Sequence, residues 1–349
     1  MGKLCGNVII MRFSALGDVA MTIPAVYSVC QSYPDFHFHY YTSPAFIPMF
    51  LDTPDNLTLH PAQVKGTSVL DILRLAISMS SLRPVGIVDL HNVPRTWIVD
   101  LWFLLRFKKV GIVRKRRIFR KYYMRHKLFQ QSFFERFKAA FFKVGFGFEY
   151  SFVSFAGRLS ASPFPVDKHA VGIAPFARFR TKIYPEVQME RVIEILDGKG
   201  FKVILFGGGK REIDILENWA AKYPNCISIG GKYTLDKEMA VMSKLGCMLS
   251  MDSANQHIAS LTGIPVITIW GGTSPTCGFM PWRQDVCDSL VSDIACSPCS
   301  IAGSATCCRS RMLCFRSITP EMIVASVLRK LDGNSITGAL VPPQSPTIM

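Results

Sequence analysis

The stretch VIIMRFSALGDVAMTIPAVYSV, residues 8–29, decides the fold class. It opens on an apolar run, Val8-Ile9-Ile10-Met11, passes through Ser14-Ala15-Leu16-Gly17-Asp18, and continues as an apolar-periodic segment from Val19 to Val29. A short β-rich run, a tight loop and a helical repeat read as strand, loop, helix. The alternation extends outward: Phe36–Tyr41, Leu57–Leu59 and Val85–Leu90 read as strands, the last ending in a polar loop. At 160–165 the composition turns to SASPFP, and its two prolines disfavour helix and mark a linker. Beyond it the pattern restarts, with strands at Ala170–Ala174, Phe201–Phe206, Cys226–Ile229, Cys247–Met251 and Val266–Trp270 and helices near 186–198, 210–222, 235–245 and 253–262. Short β-rich runs between helices predict parallel sheets wrapped by helices, an α/β protein. The predicted organisation is a first domain over 1–160, a linker at 161–168, a second domain over 169–318, an amphipathic helix at 319–332 and a disordered tail at 333–349. Ligands of open parallel sheets bind beyond the carboxyl ends of the strands, so the loops at 12–18, 89–95, 174–182, 206–212 and 251–257 are expected to line a central cleft.

The length of 349 residues suits two domains, and 49% hydrophobic with 19% charged residues excludes a disordered or fibrous chain. The net charge of +15 is concentrated: residues 106–143 carry 14 Lys and Arg against one Glu, whereas 1–105 carry six against seven and 144–349 carry 20 against 17. That distribution excludes a uniformly basic nucleic-acid coat and points to one local anionic partner. The longest uncharged run, Ser253 to Trp282, is broken by Gly263, Pro265, Gly271, Gly272 and Pro275, so no membrane span is expected. Residues 1–13 hold too short an apolar stretch for a secretory signal, and Gly6 breaks the myristoylation pattern; a cytosolic chain, soluble or peripheral, is expected. In that compartment 11 cysteines read as thiols or metal ligands rather than a disulfide framework. Cys296-x-x-Cys299 opens like a zinc site, but Cys307-Cys308 and Cys314 give no second C-x-x-C, so reduced thiols and a structural metal loop both stay open.

Several chemistries are excluded by their missing signatures: there is no G-x-S-x-G elbow, H-E-x-x-H helix or paired-carboxylate motif. Gly207-Gly208-Gly209-Lys210-Arg211-Glu212 follows a strand and opens a helix, but matches neither dinucleotide nor P-loop fingerprints. It is an anion-friendly turn in which Glu212 either meets a ribose or merely complements the helix dipole. Two constellations are sharper. Arg12-Phe13-Ser14-Ala15-Leu16-Gly17-Asp18 presents a carboxylate at a helix start, and Asp252-Ser253-Ala254-Asn255-Gln256-His257 follows a strand and precedes the turn Gly271-Gly272-Thr273-Ser274-Pro275. Alternatively, Asp18 and Asp252 are simple N-caps and His257 a core-edge histidine.

In this order the segments RFSALGDVAMTIPA (12–25), DLHNVPRT (89–96), APFARFRTKIYP (174–185), GGGKRE (207–212) and MDSANQHIASLTGIPVITIWGGTSP (251–275) resemble the bacterial lipopolysaccharide heptosyltransferases. The resemblance implies a GT-B glycosyltransferase, two Rossmann-like domains facing a cleft, the first binding acceptor and the second donor. It implies inverting transfer of heptose from an ADP-sugar to the lipopolysaccharide inner core, Kdo-lipid A or a heptosyl acceptor, with no required cofactor or active-site metal. Asp18 would be the general base. Lys182 would meet the donor phosphates with Arg178 and the amides around Ser253 and Ala254, Glu212 the nucleotide ribose, and Asp252 and His257 the sugar and phosphates. Ala254 stands where the family usually has glycine, which narrows the donor pocket and leaves another nucleotide sugar as an alternative. Arg12, Ser14, Asn92 and Arg95 are expected on the acceptor side.

The basic segment 106–143 falls in the implied acceptor domain, interleaving Arg114, Lys115, Arg116, Arg117, Arg120 and Arg125 with Phe119, Tyr122, Tyr123, Phe129, Phe133, Phe134 and Phe137. We read it as a clamp on a phosphorylated glycolipid and a contact with the anionic inner face of the inner membrane, with no nucleic acid expected. A solvated helical face backed by core aromatics is the competing reading. A nicotinamide oxidoreductase is disfavoured by the missing G-x-G-x-x-G; a non-catalytic membrane or nucleic-acid binder would leave Asp18, Lys182 and residues 252–257 without purpose.

Overall fold

The computed structural model describes residues 5–115, 119–309 and 311–333. The first half holds a wholly parallel sheet of β1 (Gly6–Met11), β2 (Phe36–Thr42), β3 (Leu57–Pro61), β4 (Gly86–Asp89) and β5 (Lys109–Ile112), in the order β3-β2-β1-β4-β5. Its helices are α1 (Leu16–Ser32), α2 (Val69–Ser80), α3 (Pro94–Leu104), α4 (Arg120–Arg125) and α5 (Phe133–Phe142). The second half holds a parallel sheet of β6 (Val171–Ala174), β7 (Val203–Leu205), β8 (Cys226–Ser228), β9 (Cys247–Met251), β10 (Val266–Trp270) and β11 (Ser289–Val291), in the order β11-β10-β9-β6-β7-β8. Around it lie α6 (Glu186–Gly198), α7 (Lys210–Lys222), α8 (Leu235–Met242), α9 (Ala254–Leu261) and α10 (Pro320–Leu331).

Both sheets are doubly wound, and each reverses its strand order beside its first strand, between β1 and β4 and between β6 and β9. Those reversals open a crevice at the carboxyl ends, where open α/β sheets bind ligands. The strands read as unbroken apolar runs because helices cover both faces; Val8–Met11, Gly86–Asp89 and Cys247–Met251 are buried throughout. One apolar core runs through both halves, joining Val8, Val26 and Tyr27 to Phe155, Ile258, Leu261 and Trp282. The irregular stretch after α5 carries this junction, with Phe155 donating its amide to Leu261 O and Trp282 donating Nε1 to Val153 O.

Each expected strand is present, some shortened: β7 excludes Phe201, Lys202 and Phe206, and α8 stops at Met242 rather than 245. The basic segment is not one surface. β5 runs through it as a sheet-edge strand, and Phe133, Phe134, Phe137 and Phe141 of α5 enter the core. Arg136 is buried with them, its guanidinium 4.7 Å from the Phe133 ring centre and bonded to Gln130. The core-aromatic reading therefore holds for α5, while Phe119, Tyr122 and Phe129 stay exposed. Among the described residues no helix is long and apolar enough to cross a membrane. Residues 334–349, nearly all of the expected tail, lie outside the described residues.

Candidate active site

Asp18 lies in the first turn of α1, where unbonded amides and the helix dipole favour a carboxylate. It accepts a hydrogen bond from the Ala15 amide at 3.3 Å and pairs with Arg12 at 2.5 Å, its side chain 32% exposed. Burial pushes the Asp18 carboxyl up; Arg12, the Ala15 amide, His257 and Lys115 together outweigh it and hold the group below its ordinary range. Asp18 is thus ionised at neutral pH. Arg12, expected as an acceptor contact, is only 3% exposed and spends itself on Asp18 and on Leu90 O, to which it donates Nη1.

The β4 end shapes the neighbouring wall. Buried Asp89 accepts from the His91 and Asn92 amides at 2.7 and 2.9 Å and from Thr96 Oγ1 at 2.7 Å, fixing the loop. His91 Nε2 stands 3.3 Å from Ser14 Oγ. Burial, then Arg12 and Lys115, push the His91 imidazole down to about 3, so it is neutral. Asn92 is a loop former: its φ is +50°, its Nδ2 donates to Val113 O and its Oδ1 accepts from Trp97 Nε1. Arg95 and Arg114 are exposed and do not line the cleft. Arg116, Arg117 and the side chain of Arg120 lie outside the described residues. Lys115, read in the sequence only as part of the basic run, lines the cleft near Asp18.

Across the cleft, the loop after β6 delivers Lys182, whose Nζ pairs with Asp252 at 2.8 Å. The two side chains are 14% and 5% exposed. Asp252 also accepts from Thr273 Oγ1 at 2.6 Å and Gln256 Nε2 at 2.9 Å. It does not cap α9, as the sequence allowed; the N-cap is Ser253, whose side chain makes no capping bond, because the Asp252 carboxylate is turned back to Lys182. The α9 amino end is therefore left open to the cleft at Ser253, Ala254 and Asn255. Burial and, to a smaller degree, Lys182 bring His257 down to about 4 against the pull of Asp252 and Asp18. His257 is thus a neutral hydrogen-bonding group rather than a cation. Its Nδ1, Gln256 Oε1, His91 Nδ1 and Arg12 Nε are buried without hydrogen-bond partners, and of these residues Arg12 and His257 line the cleft.

Glu212, in the first turn of α7, accepts the Gly208 amide at 3.0 Å; Gly209 at φ +89° makes the turn that a Cβ would strain. Burial raises the Glu212 carboxyl, partly offset by Gly208 and Arg211. Arg178 sits exposed at the lip, 5.3 Å from the Phe179 ring centre.

These groups meet in one cleft of about 510 Å³, lined from the first half by Arg12, Asp18 and Lys115 and from the second by Lys182, Asp252 and His257. A wider cavity of about 1340 Å³ shares Ala177, Arg178, Gly208 and Glu212 with it. The halves also meet at Gly17, where a Cβ would lie 2.9 Å from Ala254 Cα and 3.1 Å from His257 Cδ2. The Ala254 methyl, expected to narrow the donor pocket, also faces this junction, 3.4 Å from the same point. All five cysteines of residues 296–314 are free thiols, and among the described residues no group of three or more His, Cys, Asp or Glu side chains could hold a metal ion.

Residues 101–307 match glycosyltransferase family 9 (heptosyltransferase). The chain is 23% identical over 295 residues to lipopolysaccharide heptosyltransferase 3 of Escherichia coli K12, covering 77% of this chain and 83% of that one. It is 22% identical over 337 residues to lipooligosaccharide heptosyltransferase 2 of Campylobacter jejuni, covering 92% and 97%. Among solved structures, E. coli heptosyltransferase WaaC with ADP superposes with a TM-score of 0.67 at 15% identity, covering 94% of this chain and 100% of that one. A family 9 glycosyltransferase from Veillonella parvula gives 0.72 at 15% identity, covering 94% and 98%. At such identity the likeness is one of fold, the GT-B arrangement of two facing α/β domains.

Proposed function

The chain belongs to glycosyltransferase family 9, the heptosyltransferases, and on that premise we propose that it moves a heptose with inversion from ADP-heptose to the lipopolysaccharide inner core, on Kdo-lipid A or a heptosyl acceptor. The observation that carries this reading is the pairing of two carboxylate–cation couples in one cleft, Asp18–Arg12 at the start of α1 and Asp252–Lys182 at the start of α9. Asp18 takes the acceptor hydroxyl proton as that oxygen attacks the anomeric carbon, while the bond from that carbon to the phosphate oxygen breaks and ADP leaves from the opposite face. Because Arg12 keeps Asp18 ionised and weakly basic, the proton moves late, once bond formation has made the hydroxyl acidic.

Charge growing on the departing diphosphate is met by Lys182, Arg178 and the open amides of α9, so the reaction in this reading uses the chain's own cations and no metal cofactor. The diphosphate draws Lys182 from Asp252, which turns its free lone pairs to the sugar hydroxyls. Glu212 and the Gly208 turn take the nucleotide ribose, and neutral His257 donates a hydrogen bond to phosphate or sugar. The domain from 1 to 160 holds the acceptor, and that from 169 to 318 the donor.

The acceptor is a phosphorylated glycolipid, met by Lys115, which lines the cleft, and by Ser14, whose Oγ stands 3.3 Å from His91 Nε2. Exposed Arg114 and Arg125 with exposed Phe119, Tyr122 and Phe129 fit a peripheral contact with the anionic cytoplasmic face of the inner membrane. Sedimentation with anionic vesicles should show binding that weakens as salt rises; absent or salt-insensitive binding removes that contact. Ala254, lining the cleft in place of the family's usual glycine, favours a second reading, transfer of another nucleotide-linked sugar. A screen of nucleotide sugars with deacylated core acceptors decides between them. Sugar transfer and ADP release from ADP-heptose support the first, transfer from another donor selects the second, and failure of every nucleotide sugar to bind removes both.

A further inference from the structure

We infer that the outer face of α2 and α3 is a docking surface for an anionic phospholipid bilayer, its apolar side chains entering the headgroup boundary while neighbouring cations meet lipid phosphates. The inference rests on the reading of the acceptor as a membrane-held glycolipid, and it places the apolar anchor on a face separate from α4. Both helices lie on one side of the first sheet, where Ile72 and Met79 of α2 and Val99 and Phe103 of α3 share a buried cluster with Ile9 and Ile87. Trp102 donates Nε1 to Ser80 Oγ at 2.9 Å, tying the helices side by side. With its inner face so satisfied, a surface helix turns polar side chains outward. α3 does not: Trp97, Leu101, Leu104 and Leu105, at helical spacing on the outer side, are 44% to 69% exposed. α2 adds exposed Leu70 and Ile77. A contiguous apolar patch of this kind marks a protein or membrane contact.

The end of α3 carries a second, independent sign. The Phe107 amide donates to Leu104 O at 3.0 Å and the Lys108 amide to Phe103 O at 3.1 Å, the two bonds of a Schellman cap. That cap sets Phe107 in the left-handed position that glycine ordinarily fills, at φ +55°. Phe107 is 98% exposed, so its ring neither eases the turn nor packs into the core. An aromatic side chain held in water at a strained position calls for a receiving surface outside the chain.

Charge selects the occupant. Between residues 72 and 114 the only acidic side chains are Asp89 and Asp100, both buried, so none balances exposed Arg83, Arg95, Arg106 and Lys109. Asp71, just before, is taken by Arg74 at 2.9 Å. Arg106 lies against α3 itself, its Cζ 3.4 Å from the Trp102 ring centre and its Nη1 donating to Trp102 O. Leu, Phe and Trp side chains bordered by Arg and Lys match an anionic lipid interface, where the apolar groups enter and the cations stay at the phosphates. A second copy of the chain fits poorly, because a twofold contact would set the same cations against one another. The stripe also begins where a lipid-borne acceptor is needed. Trp97 donates Nε1 to Asn92 Oδ1 at 2.8 Å, in the loop after β4 at the carboxyl end of the sheet, the end that faces the cleft. From there it runs along α3 to Phe107, so a bilayer against this flank reaches the cleft mouth.

Vesicles of phosphatidylethanolamine and phosphatidylglycerol with brominated acyl chains test this on the full chain. Trp97 is exposed, whereas Trp102 is half-buried and Trp219, Trp270 and Trp282 are buried. On binding, the acyl-chain bromines should quench tryptophan fluorescence, and Trp97→Phe should remove most of that quenching. The double variant Leu101→Asp, Leu104→Asp should lower vesicle affinity about tenfold or more, while Val187→Asp, at an exposed site on α6, leaves it unchanged. Phe107→Gly should hold or raise Tm, since glycine suits the turn, yet weaken binding severalfold. It decides the matter should the double variant fail to fold. No binding, binding without quenching, or variants that bind as tightly as wild type overturns the inference. So does a lipid-free dimer that the double variant dissolves, which gives the face to a second copy. None of these assays requires sugar transfer: their failure leaves the reading of the cleft standing, and a chain that docks but moves no heptose leaves this inference standing.

Discussion

Replacing Asp18 with Asn separates the charge of the proposed base from its shape. Asn keeps an oxygen that can accept from Arg12 and the Ala15 amide but cannot take up a proton. General-base catalysis is commonly worth about 10²–10⁴-fold, or about 2.7–5.4 kcal/mol of barrier, and kcat should fall within that range. The stability cost is set by Arg12, 3% exposed and losing its counter-charge. Exposed pairs are worth up to about 1 kcal/mol and breaking a buried one costs about 3–5 kcal/mol. With Asp18 one-third exposed and the Leu90 bond retained, about 1–3 kcal/mol and a fall in Tm of a few degrees are expected. Asp18→Ala, which removes the accepting oxygen too, should melt lower still. Donor binding, followed by calorimetry with ADP, should change less than about threefold because the donor contacts proposed here lie on the other half. The pH profile supplies an independent check. Since Arg12 holds Asp18 below its ordinary range, wild-type activity should persist down through the usual carboxylate region and fall only as the pH passes the lowered value. An Asp18→Asn enzyme that keeps more than a tenth of wild-type kcat at saturating donor would remove Asp18 from the proton transfer.

Gly17→Ala places a Cβ 2.9 Å from Ala254 Cα; overpacking of about 1–3 kcal/mol is partly offset by about 1 kcal/mol of helix propensity, so Tm should fall little while kcat drops at least tenfold. Adding Ala254→Gly should not restore activity, because the nearest atom is backbone, and full activity in Gly17→Ala would dissolve the importance of this junction. Lys182→Met leaves buried Asp252 without its cation; it should cost several degrees in Tm and at least tenfold in ADP affinity, and Asp252→Asn in the same chain should recover the melting temperature but not the affinity. Asp100, buried beside Asp89, has its carboxyl pushed up by burial and then by Asp89 to about 9. The folded chain therefore holds a proton that the unfolded chain releases above about pH 4, and stability falls by up to about 1.4 kcal/mol per pH unit as pH rises toward the folded value. Asp100→Asn should raise Tm at about pH 8, change it little near pH 4, and flatten the slope between; an unchanged slope in thermal melts would place the proton elsewhere.

The two sheets were legible because their central strands are short apolar runs closed by turn residues, and a run such as Cys247–Met251 has few other readings. β5 was not, since Lys109-Val110-Gly111-Ile112 offers two large apolar side chains inside a dense basic stretch. The same charge masked α5, although Phe133, Phe134, Phe137 and Phe141 recur at helical spacing and all enter the core. At the cleft, position was readable and partnership was not. Arg12 was expected on the acceptor side, and nothing local reveals that a carbonyl 78 residues away also takes its guanidinium. Asn92 looked like a ligand contact, whereas its positive φ and its bonds to Val113 and Trp97 give it a structural task. Lys115 was hidden among its neighbours. Only the end of β5 at Ile112, beside β4, brings it to the crevice.

The two ion pairs differ in the cation, and that difference divides the labour of the cleft. Arg12 is pinned by separate guanidinium nitrogens to Asp18 and Leu90 O, so it holds the base in one position and one charge state. Lys182 holds Asp252 through a single ammonium on a flexible stem, while Thr273 and Gln256 hold the carboxylate from the other side. The lysine can therefore swing to an arriving diphosphate without releasing Asp252 from the protein. Arg and Lys are not interchangeable in such roles, since a planar fork can bind a carboxylate through two parallel bonds and an ammonium acts as a point charge. Lys182→Arg keeps the charge but ties the cation more firmly to Asp252, so ADP affinity should fall at least severalfold while Tm holds or rises. Arg12→Lys keeps the charge but forfeits one of two bonds, so Asp18 should become a stronger base in a looser position, with the acidic limb of the activity profile moving up. Lys182→Arg binding ADP as well as wild type would show that charge alone suffices there, and an unmoved acidic limb in Arg12→Lys would show that the guanidinium does not set the state of the base.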